Sequence, residues 1–207
     1  MRYSILIRLL ALFGALQIAG CGTSAPVHFY ALSANAISPA PPAPSTNVSI
    51  AVGPVWMSEA VDRPQIVLST GANSMDLEEF SRWAAPLPVN IAQVIAENLV
   101  RLLGTPRVAV YPQGPISDPD FRIELVMLRF HSAPGDAASM EALWTIRTKS
   151  PGQTLSGRTV LREEVTGPGI EELVAAHSRA LAAFSRVLAD TISANVQGGN
   201  SRPCPGK

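Results

Sequence analysis

The chain has 207 residues, of which 47% are hydrophobic, and its 16 basic side chains balance its 16 acidic ones. This length and apolar content suit a globular domain with a hydrophobic core and exclude disorder along the whole chain. Charged residues make up only 15% and form no basic stripe, which excludes the usual electrostatic footprint of a nucleic-acid-binding protein. Two cysteines and three scattered histidines are too few for a disulfide framework or a structural zinc site, so we expect no metal and no bound cofactor.

Residues 1–20 form a predicted secretory signal peptide. Arg2 and Arg8 supply positive charge, and the stretch from residue 9 to residue 18 is uncharged and mostly apolar. This stretch is too short to span a bilayer, which takes about 20 apolar residues, and it has the length of a signal-peptide core.

Residues 18–21, Ile-Ala-Gly-Cys, follow directly and resemble the lipobox of bacterial lipoproteins. The resemblance implies cleavage before Cys21, which would then carry a diacylglycerol on its sulfur and an acyl chain on its new N-terminus. Several buried acyl chains anchor a protein stably, whereas one chain is marginal. Gly22 is not aspartate, which by resemblance to the sorting pattern of enteric bacteria favours the outer membrane, with the domain on its periplasmic face. The alternative is an ordinary secreted protein in which Cys21 pairs with Cys204.

Short apolar segments punctuated by proline and glycine predict several strands in the first half of the mature chain. Val48, Ile50 and Val52 alternate onto one side of the clearest of them. Four prolines between residues 33 and 47 indicate a solvated loop with polyproline character. In chain order we predict a strand over 27–32, the proline-rich loop over 33–47, a strand over 48–55, a strand over 65–68, a turn over 71–73 and a further segment over 75–83.

A helix is predicted from Pro86 to Gly104. Proline is favoured in the first turn of a helix and glycine just past its end. Apolar residues between them recur at helical spacing, which predicts one buried face. A strand over 107–111 follows, so the region from 48 to 111 contains a predicted strand–helix–strand crossover. The predicted buried residues are Ile91, Val94, Ile95, Leu99, Leu102 and Leu103.

Three strands and a second long helix are predicted in the rest of the chain. The strands over 121–130, 140–147 and 158–166 are separated by turns that contain Pro-Gly pairs. In the middle strand one face is predicted to be core and the other mixed, because Met140, Ala142, Trp144 and Ile146 alternate with Glu141, Leu143, Thr145 and Arg147. The helix over 170–196 carries an apolar stripe, while its other side is rich in alanine and poor in charge. Either a second surface, such as another copy of the chain, covers this side, or the alanines are simply good helix formers. The stripe consists of Leu173, His177, Leu181, Phe184, Leu188 and Ile192.

Together these elements predict an α/β fold, with a single domain over 26–196 in which a mixed β-sheet is packed by two long helices. An α+β fold with an antiparallel meander is the alternative. Residues 197–207 are predicted to be a disordered tail, in which Cys204 has no plausible partner once Cys21 is acylated.

No constellation of residues indicates catalysis. His28, His131 and His177 lie apart in a predicted strand, a turn and a helix face. The glutamate pairs at 163–164 and 171–172 are sequence neighbours, which diverge on a strand or a helix instead of forming an acid–base couple. The sequence contains no nucleophile elbow and no phosphate-binding glycine loop. We therefore expect a non-catalytic protein.

Two short polar motifs stand out instead. The motif from Asp62 to Gln65, Asp-Arg-Pro-Gln, enters a predicted strand, and Arg82-Trp83 precedes the first helix. One interpretation is structural, with Arg82 paired to Asp62 and Trp83 covering the start of the helix. The other is that Arg63 and Trp83 are exposed anchors for a partner, since arginine and large aromatic side chains dominate many interfaces.

With their surroundings these motifs resemble the PqiC/YmbA lipoproteins, the auxiliary lipoproteins of lipid-transport systems that use MCE-domain proteins. The resemblance covers about residues 26–196, and the proline-rich loop and the end of the chain after Asn195 depart from it. The matching segments are the strand at Val48, Asp-Arg-Pro-Gln-Ile-Val at 62–67, Asn73, Arg82-Trp83, Pro86-Leu87, Asn98-Leu99, the strand with Trp144, and the run from His177 to Leu181.

This resemblance implies a single α/β domain without catalytic residues. It implies a subunit on the inner leaflet of the outer membrane, held in outer-membrane lipid through Cys21, which anchors or docks a periplasm-spanning MCE assembly. The expected partner is thus an MCE-domain protein, and a homo-oligomer would use the alanine-rich side of the last helix. A second hypothesis is a lipid-carrying lipoprotein that shields an acyl chain in its own apolar pocket.

Overall fold

Eight strands and two helices form the part of the chain that this computed structural model describes, namely Tyr3 and residues 25–36, 47–150 and 153–200. The predicted signal peptide apart from Tyr3, the lipid-attachment residue Cys21, most of the proline-rich loop and residues 201–207 lie outside the described residues. The strands are β1 (His28–Tyr30), β2 (Ile50–Met57), β3 (Gln65–Gly71), β4 (Ser74–Trp83), β5 (Val108–Val110), β6 (Phe121–Ala133), β7 (Ala137–Thr148) and β8 (Thr154–Glu164), and the helices are α1 (Leu87–Leu103) and α2 (Ile170–Asn200).

Five strands form the mixed sheet that the sequence predicts, in the order β5-β2-β6-β7-β8. β2 lies parallel to both β5 and β6, so the strand–helix–strand crossover through α1 is confirmed. β6, β7 and β8 form an antiparallel meander. The fold is therefore an α/β domain with two helices packed on a mixed sheet, and the meander belongs to that same sheet.

The remaining three strands form a second, smaller sheet, which no pattern in the sequence separates from the first. Its order is β1-β4-β3, with β1 parallel to β4 and with β3 and β4 joined as an antiparallel hairpin. Strand periodicity identifies which residues share a face, but it does not identify the strand that lies alongside. The assignment to two sheets therefore depends on pairing across the chain.

The ends of α1 lie where proline and glycine place them. Pro86 immediately precedes the helix, and Pro88 lies in its first turn, where a missing N–H costs no intrahelical hydrogen bond. Gly104 ends the helix in the left-handed region with a φ of 64°, and its N–H donates to the Val100 carbonyl at 3.0 Å. Glycine adopts this conformation without the steric cost of a Cβ.

The core lies between the two helices and the inner face of the five-stranded sheet. The apolar stripe of α2 is buried along its whole predicted length, as are Ile91, Ile95 and Leu99 of α1. On β7, Met140 and Ile146 face this core, which confirms the predicted alternation. The helices thus cover one face of the sheet.

The alanines that flank the apolar stripe of α2 are covered by the protomer itself, whereas Ala175 and Ala194 on the side away from the stripe are exposed. An interface with a second copy of the chain on that side stays a prediction. Helix α1 packs along α2, and residues 32–36 lie against both helices. Buried polar side chains hold this segment by accepting its backbone N–H groups. The hydrogen bonds run from Leu32 N to Asn90 Oδ1 at 2.8 Å, from Ser33 N to Ser178 Oγ at 3.1 Å and from Ala36 N to Asn98 Oδ1 at 2.9 Å, and the buried alanines are Ala176, Ala180, Ala182 and Ala189.

Several predicted boundaries differ from the structure, among them the start of β8, which lies at Thr154 instead of residue 158. β6 continues to Ala133, so His131 lies in a strand instead of a turn, because pairing with β7 extends to the last residues before the turn. α2 continues to Asn200, so the first four residues of the predicted tail are helical. Gly198 and Gly199 lower helix propensity by about 1 kcal/mol each but do not forbid a helix.

Candidate functional site

The two polar motifs meet at one end of the small sheet. The Trp83 backbone N–H donates to the Pro64 carbonyl at 2.8 Å, and Gln65 is in register with Arg82. Pro64 therefore lies beside the last residue of β4. The sequence separation of about twenty residues between the motifs is closed by the β3–β4 hairpin.

An open cleft of about 300 Å³ lies between the loop before β3 and the segment that joins β4 to α1. Asp62 and Arg63 are exposed at this cleft, whereas Trp83 contributes to its wall. We call it the Trp83 cleft. Its lining residues are Asp62, Arg63, Pro64, Trp83, Ala84, Ala85 and Pro86.

Trp83 is only 7% exposed, so the expectation that it is an exposed anchor is wrong. Its ring meets Phe130 edge-on, with the ring centroids 6.5 Å apart and an interplanar angle of 65°. Phe130 in turn stacks on His177 at 3.9 Å. Trp83 is thus the first ring of an aromatic cluster that runs into the core, which supports the structural interpretation, while Arg63 is exposed as expected.

The predicted ion pair between Arg82 and Asp62 is not formed in the described part of the chain, where neither side chain takes part in an ion pair. Arg82 is half-buried, and its Nε is enclosed with no hydrogen-bond partner among the described residues. Gln65 beside it is half-buried as well. The motif residues are therefore brought together, but by backbone pairing and not by their charges.

His177, the innermost ring of the aromatic cluster, forms a buried pair with a serine that no sequence pattern identifies as its partner. Ser132 Oγ and His177 Nε2 are joined by a hydrogen bond of 2.8 Å, although 45 residues separate them in the chain. Both residues are buried, and burial lowers the pKa of His177 to about 3, with the nearby His131 as a smaller cause. The imidazole is therefore neutral at ordinary pH and enclosed by the core. The position of His177 on the apolar stripe of α2 was the one feature of the sequence that could have indicated its burial.

The outer face of the five-stranded sheet carries a second candidate surface. Trp56, Val126 and Leu143 are in register across β2, β6 and β7, and all three are exposed. We call them the sheet row. Beside this row the Glu141 carboxylate is buried under Arg129 and Arg158, with nitrogen–oxygen distances of 3.4 Å and 2.6 Å. The sequence does not predict the sheet row, because its three members come from separate strands that meet only through pairing.

Neither a metal centre nor a membrane-spanning helix is found in the described residues. No three potential ligands among histidine, cysteine, aspartate and glutamate converge there. Neither described helix combines the length and apolarity that crossing a bilayer requires.

Comparison with solved structures shows the fold. An uncharacterised protein shares 19% identity at a TM-score of 0.66, and the match covers 81% of this chain and 99% of that protein. A DUF330 protein from Xanthomonas campestris shares 16% identity at a TM-score of 0.68, with 84% of this chain and all of that one covered. No curated protein matches the chain significantly.

The chain also matches the model of a protein family. The model of the family described as "ABC-type transport auxiliary lipoprotein component" matches residues 30–189, which is well over half of the chain. The matched region extends from the end of β1 into α2 and includes both polar motifs. This confirms the resemblance to PqiC/YmbA-type auxiliary lipoproteins and indicates a membrane-anchored location in the cell envelope. The chain belongs to the family of ABC-type transport auxiliary lipoprotein components.

Proposed function

We propose that this protein is a non-catalytic outer-membrane lipoprotein subunit of an MCE-type intermembrane lipid transporter. It is anchored by acyl chains on Cys21 and docks the periplasm-spanning MCE assembly. The observation that carries the proposal is the family match over residues 30–189 in a chain whose Ile-Ala-Gly-Cys at 18–21 resembles a lipobox. The family supplies the transport role, and the lipobox supplies the means of attachment.

The Trp83 cleft is the docking position that we propose. It is an open cleft lined mainly by alanine and proline, with the charged side chains of Asp62 and Arg63 exposed at it. Exposed arginine beside an apolar depression is a common form of interface anchor. The buried Trp83 ring makes its part of the cleft wall rigid, since the ring packs against Phe130.

Replacing Cys21 by serine is expected to abolish acylation and, with it, the stable lipid anchor, because serine lacks the thiol that would carry the diacylglycerol. Membrane fractionation with a metabolically incorporated palmitate label measures both consequences. Cys204→Ser is the matched control and should leave label and location unchanged, which also tests the alternative disulfide. A Cys21→Ser protein that still carries the label in the membrane fraction would refute the anchor.

Docking at the Trp83 cleft is tested by co-purification of the full-length protein in detergent with the MCE-domain protein encoded beside it. We expect Arg63→Ala and Ala84→Glu each to reduce retention by about fivefold or more, as for an interface residue worth at least about 1 kcal/mol. Ala84 is exposed, and its backbone N–H, which a change of side chain leaves in place, donates to the Tyr30 carbonyl at 2.8 Å. Both substitutions should therefore leave the fold intact.

Arg186→Ala, which removes an exposed arginine from α2, is the control and should retain the partner fully. Full retention by both cleft variants would refute the Trp83 cleft as the docking surface. Absence of the MCE protein from the wild-type sample would refute the docking function itself. A Cys21→Ser protein that captures its partner in detergent would show that the acyl chains serve placement and not recognition.

The lipid-carrying alternative requires an enclosed apolar pocket. The larger cleft beside β1, of about 460 Å³, is open and is lined partly by Ser33, Asn35, Glu171 and Ser178. We therefore give priority to docking, and organic extraction of the purified protein should yield no stoichiometric phospholipid.

A further inference from the structure

The direction of β1 shows from which end of the small sheet the membrane anchor approaches. β1 runs parallel to β4, with His28 in register with Ser81 and Tyr30 in register with Trp83. The chain therefore enters β1 from the end at which β4 begins. That end carries the turn of the β3–β4 hairpin, at residues 71–74. The Trp83 cleft lies at the opposite end of β4.

The length of chain before β1 sets how far the anchor reaches. His28 lies seven positions after Cys21, and Ser81, the residue paired with His28, lies seven positions after Ser74. Seven residues of extended chain span at most about 25 Å. If the chain before β1 continues along the axis of β1, a fully extended connection brings Cys21 level with the hairpin turn, and any shorter path leaves the turn extending past Cys21 toward the bilayer.

The amino-acid composition of the hairpin turn suits a position next to a lipid bilayer. No charged side chain occurs from Pro64 to Met75, and residues 70–77 are exposed, including Met75 and Leu77. Uncharged polar and apolar groups enter a lipid headgroup region without the cost of desolvating a charge. The first charged residue is Asp76, and Glu78 and Glu79 follow it along β4.

We propose that the turn of the β3–β4 hairpin, residues 70–75, is a second membrane contact that rests in the headgroup region of the leaflet holding the Cys21 acyl chains. The contact is shallow, because the three carboxylates that follow stay in water. It rests on the anchoring at Cys21 proposed above. Together the acyl chains and the turn form two points of attachment, which orient the small sheet so that the Trp83 cleft faces away from the membrane.

An environment-sensitive dye on the acylated protein tests this contact. A full-length Cys204→Ser chain carries a single added cysteine, Asn73→Cys in the turn or Val160→Cys as control, labelled with a nitrobenzoxadiazole dye. Val160 is 60% exposed and lies on β8 of the other sheet. Each protein is reconstituted into phosphatidylethanolamine–phosphatidylglycerol vesicles, and only vesicle-bound protein is measured. Mass spectrometry of each vesicle-bound protein shows whether Cys21 is acylated.

We expect a blue shift and a severalfold gain in emission at position 73 on reconstitution, with quenching by spin-labelled lipid, and neither change at position 160. Acylated, vesicle-bound protein with an unshifted dye at position 73 would overturn the membrane contact while leaving the anchor intact. A shift without quenching by the lipid-borne label would mean that another protein surface covers the turn, which also overturns it. Protein without acyl chains would overturn the anchor and this contact together.

Discussion

Replacing Trp83 by alanine is expected to lower the free energy of unfolding by about 3–5 kcal/mol, the range for truncating a buried aromatic side chain. Trp83 is 7% exposed and packs edge-on against Phe130, which itself stacks on His177. Removing the indole leaves a cavity that this cluster cannot fill without moving both β4 and β6. Urea unfolding of the chain without signal peptide and Cys21, followed by circular dichroism, measures the loss.

Trp56 provides the matched control, because its indole is 49% exposed on the outer face of the five-stranded sheet. Trp56→Ala should cost about 1 kcal/mol or less, since it removes little buried area. Similar losses for the two variants would contradict the assignment of Trp83 to the core. Any loss of partner binding by Trp83→Ala is therefore to be interpreted only alongside Arg63→Ala, which acts at the surface.

Lowering the pH from 7 to 5 is expected to destabilise the protein by about 2 kcal/mol through His177 alone. Burial lowers the pKa of His177 to about 3, from an ordinary value of 6.5. Below pH 6.5 His177 takes up a proton in the unfolded chain but not in the folded one. Its contribution to the free energy of unfolding is therefore fully present above pH 6.5 and is lost progressively as the pH falls toward 3. His131 contributes in the same direction, because partial burial and then Arg129 lower its pKa.

The double variant Ser132→Ala/His177→Phe isolates this effect. It removes both members of the buried hydrogen bond, which is far less costly than leaving one of them unpaired, and it retains a ring against Phe130. Its stability should vary less between pH 7 and pH 5 than that of the wild type, while His131 is present in both proteins. Equal slopes of unfolding free energy against pH would show that His177 is not the buried titrating group.

Local signals in the sequence were sufficient for most of the secondary structure. Pro86, Pro88 and Gly104 act on the backbone of their own helix, so α1 lies where they predict. The stripe of α2 and the alternation on β7 follow from the spacing of apolar residues, and both are buried as predicted. These features depend on neighbours within a few residues, which is why composition and periodicity reveal them.

The candidate site was predicted less completely. The residue types and their proximity in space were anticipated from the two motifs, and Arg63 is exposed as expected. The burial of Trp83 was not anticipated, because it depends on Phe130, a residue 47 positions away that β6 brings beneath it. The interaction of Ser132 with His177 was missed for the same reason.

The sequence by itself thus determined the order of the elements, the buried faces of both helices and the lipobox-like segment. Only the tertiary structure decided that the strands divide into two sheets, that Asn90, Asn98 and Ser178 bind the backbone of residues 32–36, and that the hairpin turn and the Trp83 cleft lie at opposite ends of β4. The physical reason is the distance along the chain over which each kind of interaction acts. Helix ends and periodic faces arise from steric and hydrogen-bonding preferences of adjacent residues, whereas strand partners, buried polar contacts and surface rows depend on segments that meet only when the whole core assembles.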